Sequence, residues 1–153
     1  MGVAGVKKKK IEALDEVVQQ LGDRDDVEII VVDDMSNDRP DLVVDEVGRG
    51  RVRYHRLDRP HGAIANFNTC LALSTGVYVH LLHGDDGVLP GFYAAAENAL
   101  ADSTFVAACC RTYYIDDHGR RGQATRSERS GTGPWDRAFP TLLISNRIRP
   151  ASI

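Results

Sequence analysis

The chain has 153 residues, 42% of them hydrophobic and 27% charged, with a formal net charge of −3. Such a length suits one domain with a real core, the composition is that of an ordinary globular chain rather than a disordered one, and the charge argues against a dedicated nucleic-acid binder. The three cysteines, Cys70, Cys109 and Cys110, lack metal-ligand spacing and read as small buried hydrophobes in a reducing compartment.

No apolar run reaches the length of a membrane span, and the N-terminus has no signal-peptide core. A soluble cytoplasmic domain is the expectation. The Lys7–Lys10 run leaves peripheral contact with the inner face of a membrane open, although a solvated tail explains it as well.

Residues 1–10 read as a basic tail, because four lysines at a helix start would oppose its dipole. Residues 11–153 read as the domain. Ile11, Leu14, Val17, Val18 and Leu21 recur at helical spacing, and Gly22 suits the stop. Val27–Val32 predicts a strand covered on both faces, followed by the polar turn Asp33-Asp34-Met35-Ser36-Asn37-Asp38. The next helix carries Leu42, Val43 and Val47. Arg51–Leu57 alternates Val52, Tyr54 and Leu57 against arginines and a histidine, which predicts a strand near an edge.

A helix over Ala63–Ser74 is predicted to bury Ile64, Phe67, Cys70 and Leu71. Val77–Leu82 then has the length and β-branched character of a buried strand. It runs into Gly84, Asp85 and Asp86, with Pro90 placed to open another helix that carries Phe92, Ala95, Ala96 and Leu100. Phe105–Ile115 reads as a strand turned by Asp116–Gly119. Arg120–Pro134 reads as a mobile loop, and Trp135–Ile153 has some apolar content.

Strands alternating with helices predict an α/β domain with a mostly parallel sheet. Two of the predicted strands end in paired aspartates. At the carboxyl edge of such a sheet these acids would converge on one crevice, the usual ligand position. The plainer reading is that Asp85 caps a helix and Asp86 is a solvated turn residue. A dinucleotide-binding oxidoreductase is disfavoured, since no Gly-x-Gly-x-x-Gly follows a strand.

Taken together, EIIVVDDMSND, GAIANFN and GVYVHLLHGDDGVLPGFY resemble the family 2 glycosyltransferases. The matching positions are Val32, Asp33, Asp34, Ser36 and Asp38; Gly62 and Asn68; and Gly76, Tyr78, Asp85, Asp86, Pro90 and Gly91. The segments TYYIDDHG and NRIRPASI look like later parts of the same domain.

The resemblance implies a three-layer α/β/α GT-A fold. It also implies inverting transfer from a nucleotide-diphospho-sugar donor to a carbohydrate or lipid-linked acceptor, in cell-wall or polysaccharide biosynthesis. Asp85 and Asp86 would meet a Mg2+ or Mn2+ ion and the ribose, and Asp34 the base. Asp33, Ser36, Gly62, Asn68 and His83 would complete the donor site.

Three departures from the family pattern stand out. His83 occupies the place of the first acid of the metal turn, where it would serve either as a ligand or as a partly buried histidine bonded to backbone. The basic residue that often precedes the helix asparagine is Phe67. The family's first strand has no counterpart in residues 1–10, and no general base can be assigned, so the sequence reads as a domain cut at both ends. A sheet lacking that strand would close by pairing Val27–Val32 with Val77–Leu82, or by borrowing a strand from a second copy in a homo-oligomer. The alternative to an enzyme is then a non-catalytic nucleotide-sugar-binding remnant.

Overall fold

A computed structural model describes residues 3–102, 104–126, 131, 133–135 and 138, with backbone alone for residues 3–11. The chain divides into two units, residues 1–93 and 94–153. The expectations for residues 1–2 and for most of the stretch after Trp135, including NRIRPASI, lie outside the described residues.

The first unit opens with helix α1, Val3–Leu21. It takes in Lys7–Lys10, which corrects the expected helix start at Ile11. Beginning at Val3 puts the lysines beyond the first turn, where their opposition to the dipole fades and their good helix propensity prevails. The stop falls as expected. Gly22 adopts a left-handed φ of 56° and donates its N–H to the Val18 carbonyl at 3.0 Å.

Strand β1, Ile29–Asp33, pairs in parallel with β2, Val52–Arg56, so that Val31 lies opposite Tyr54 and Asp33 opposite Arg56. Helix α2, Pro40–Val47, joins them and starts on its proline as a helix should. It buries Pro40, Val43 and Val44, whereas Leu42 is exposed. In β2 the predicted alternation holds, with Val52 and Tyr54 partly buried and Arg53, His55 and Arg56 exposed.

Helix α3, Ala63–Leu73, packs against β1. Its predicted core face is only partly right. Phe67 and Cys70 are half-buried, but Ile64 is 74% exposed and Leu71 49%. Among the described residues the sheet beneath it has two strands, too narrow to cover the whole apolar stripe.

The largest correction concerns Val77–Leu82, which forms no strand, so that among the described residues β1 pairs with β2 alone. Val77 is 93% exposed, and Tyr78 and Val79 are exposed as well. A strand exists only through its ladder, and apolar composition predicts burial rather than a partner. The segment is instead tied at its start by the Glu28 carboxylate. That group accepts the Thr75 N–H, the Thr75 hydroxyl at 3.1 Å and the Gly76 N–H at 3.3 Å.

The core lies elsewhere. Val17 and Leu21 of α1 pack with Val88, and Val27, Ile29, Leu82, Phe92 and Tyr93 close around them. Pro90 does not open a helix. Phe92 donates its N–H to the Leu89 carbonyl at 3.1 Å across Pro90 and Gly91, with Gly91 at φ 83°. That is the arrangement of a type II turn, which sets helix α4 (Phe92–Leu100) to begin at Phe92.

In the second unit, β3 (Tyr113–Ile115) and β4 (Arg121–Ala124) form an antiparallel hairpin. The expected strand is thus confined to its last three residues, and the expected loop contains a strand. Asp116 explains the tight turn. Its Oδ1 accepts the N–H groups of His118 and Arg120, both at 2.9 Å, and its Oδ2 accepts Arg120 Nε at 2.8 Å. Among the described residues, no helix is long and apolar enough to cross a membrane.

Candidate functional site

The site begins where β1 ends. Asp33 is 4% exposed and uses both oxygens: Oδ1 accepts the Ser36 N–H at 2.9 Å, while Oδ2 accepts the Tyr54 hydroxyl and Arg56 Nη1, each at 2.7 Å. Burial alone would raise its pKa, but the hydrogen bonds from Ser36 and Tyr54 and the Arg56 charge outweigh it and hold the carboxyl below the usual range. Met35, between the acids and Ser36, is held in a left-handed conformation at φ 63°. A side chain there costs about 1–2 kcal/mol, so the turn is shaped against local preference by the Asp33 network.

Asp34 points to the other side of the turn. Its Oδ1 accepts the His61 N–H at 2.6 Å and its Oδ2 the Gly62 N–H at 2.8 Å. It thereby grips the chain entering α3, whose N-cap Gly62 sits at φ 82° with no side chain of its own to cap the helix. A carboxylate has about four acceptor positions, so two remain on Asp34 for a ligand.

Helix α3 carries this anchorage to the second acidic turn. Phe67, about 7.5 Å along the helix from Gly62 at roughly 1.5 Å per residue, packs against the His83 ring with centroids 4.9 Å apart. A nitrogen of His83 and an oxygen from each of Asp85 and Asp86 lie within 4.8 Å of one another. Asp86 also donates its N–H to the His83 carbonyl at 3.1 Å. Burial, and then the neighbouring Asp85 charge, raise the Asp86 pKa, with His83 opposing. A divalent cation would relieve that condition, and an imidazole with two carboxylates is a donor set that fits one.

The turn is fixed from behind by α1. Glu16 Oε2 accepts the Val88 N–H at 3.0 Å, and Gln20 Nε2 donates to the Val88 carbonyl at 3.2 Å. With Val88 4% exposed in the core, the residues after Asp86 are held by both polar and apolar contacts.

Two acidic turns, one bonded to the entry of α3 and the other packed against its Phe67, mark the candidate site of this α/β chain. Asp33, Asp34 and Ser36 meet in the first turn, with Gly62 bonded to Asp34; His83, Asp85 and Asp86 meet in the second. Asn68 lies on α3 with its side chain exposed. Asp116 and Asp117 are turn residues of the hairpin in the other unit, as expected.

Sequence reasoning missed Tyr54 and Arg56 as partners of Asp33, Phe67 as the wall behind His83, and Glu16 as an anchor of the second acidic turn. Register and helix facing place these residues, and neither is written in a motif.

The particular kind of protein follows from comparison. The family model for glycosyl transferase family 2 matches residues 11–150, and the chain belongs to that family. Members carry out glycosyl transfer and commonly use a divalent metal, which the His83, Asp85 and Asp86 group suits. Neither the curated proteins nor the solved structures compared with the chain give a match.

Proposed function

We propose that the chain transfers a sugar, with inversion, from a nucleotide-diphospho-sugar to the hydroxyl of a carbohydrate or lipid-linked acceptor. The domain would be of the three-layer GT-A type. The observation that carries this reading is the convergence of His83, Asp85 and Asp86 within 4.8 Å, beside the helix whose entry Asp34 grips.

A divalent ion held by Asp85 and Asp86 would neutralise the diphosphate leaving group. The residues themselves bind and orient. Asp34 offers its remaining acceptor positions to the base, and Asp85 offers an oxygen to the ribose. Asp33 and Ser36 hold the first turn in shape, and Gly62 and Asn68 belong to the donor side of α3. No described residue is assigned as general base.

A second reading, nucleotide-sugar binding without turnover, draws on the exposure of Val77 and the lack of a strand leading into the acidic turn. The test is to incubate the chain with a panel of nucleotide-diphospho-sugars, a panel of carbohydrate and lipid-linked acceptors and Mn2+, and to measure nucleoside diphosphate release that depends on the acceptor. Release that disappears in Asp86→Ala supports the enzyme. Donor binding with no release from any donor supports the second reading, and neither binding nor release contradicts both.

A further inference from the structure

Resting on the donor-site reading above, we infer that His83 makes this a mixed nitrogen–oxygen metal site that selects Mn2+ and later first-row ions over Mg2+. Three observations carry the inference. One imidazole nitrogen and two carboxylate oxygens lie within 4.8 Å of one another. Ligand bonds near 2.1 Å place donors around a single ion about 3–4 Å apart, so small side-chain rotations complete the set. The His83 ring is backed by Phe67 at 4.9 Å, which holds the imidazole at the turn and away from open solvent. Finally, the turn is pinned through Val88 to Glu16 and Gln20, so its backbone is held before any ion arrives.

The chemistry then decides the ion. Mg2+ demands oxygen ligands in near-ideal octahedral geometry and gives up water reluctantly. Imidazole nitrogen is a softer donor, and affinity rises from Mn2+ toward the later first-row ions at such sites. Replacing one carboxylate by a neutral imidazole also lowers the negative charge of the set, which weakens a hard ion most.

The test uses the whole chain and metal alone. Mn2+ binding is followed by electron paramagnetic resonance and competed with Mg2+, for the native chain and for His83→Asp. Spin-echo modulation reports directly on a coordinated imidazole nitrogen. The native chain should prefer Mn2+ by about tenfold or more and show nitrogen modulation. In His83→Asp the modulation should vanish and the preference narrow severalfold. Asp85→Asn serves as a second variant that keeps the imidazole; it should weaken binding but retain the modulation, and circular dichroism checks that both variants fold.

Mn2+ bound without nitrogen modulation, or a preference unchanged in His83→Asp, would overturn the inference while leaving a carboxylate metal site intact. Absence of Mn2+ binding to the native chain would overturn both the inference and the donor-site reading on which it rests.

Discussion

At the residue scale, Asp33 shows how an acidic motif divides its labour. Buried, with both oxygens hydrogen-bonded, it holds the turn, while Asp34 accepts the N–H groups of His61 and Gly62 at the entry of α3. Asp33→Asn should therefore cost about 2–3 kcal/mol at neutral pH, since Arg56 and the Tyr54 hydroxyl lose a charged acceptor. The pH dependence has a definite sign. A carboxyl whose folded pKa lies below its ordinary value of 3.8 stabilises the fold above that value. The contribution is lost as pH falls through the lowered folded value. Urea denaturation at pH 7 and pH 3 should show the gap between native chain and variant narrowing in acid.

His80 behaves in the opposite chemical sense but with the same direction. Its ring packs on Phe92 and Tyr93 with centroids 4.8 and 5.8 Å away, and its buried Nε2 has no hydrogen-bond partner among the described residues. Burial lowers its pKa from 6.5, while burial of Tyr93 pushes that hydroxyl up to about 12. A neutral buried histidine stabilises the fold above pH 6.5, and that contribution fades as pH falls below it. The melting temperature should drop between pH 8 and pH 5.5, and His80→Phe, which cannot titrate, should flatten that drop.

At the scale of elements, local signals were legible and partners were not. The stop at Gly22, the proline start of α2 and the alternation of Val52 and Tyr54 depend on backbone geometry or side-chain period, which a sequence writes directly. Gly22→Ala should accordingly destabilise by about 1 kcal/mol in a denaturant titration, because a Cβ is strained at φ 56° however open the surroundings.

Val77–Leu82 failed because strand formation needs a neighbour that composition cannot name. Pro90 failed because Pro followed by Gly is as much a turn signal as a helix start, and Gly91 at φ 83° decided for the turn. The same limit applies to the site. Both pairs of aspartates were visible as motifs, but Arg56 opposite Asp33 is a consequence of register, and Phe67 behind His83 of helix facing.

At the scale of the whole chain, the sequence belongs to glycosyl transferase family 2, and its first unit pairs β1 with β2 in parallel and packs α3 against β1. Helix α1 supports the second acidic turn through Glu16, Gln20 and the Val17, Leu21 and Val88 cluster. We propose that the two acidic turns form one donor site. Calorimetric titration of UDP and of GDP into the chain, with and without Mn2+, tests it most directly when repeated on Asp86→Ala. The account predicts Mn2+-dependent binding of at least one nucleotide, weakened tenfold or more in the variant, on the order of 1.4 kcal/mol. A folded chain that binds neither nucleotide, or binds equally well without Mn2+ and without Asp86, would contradict it.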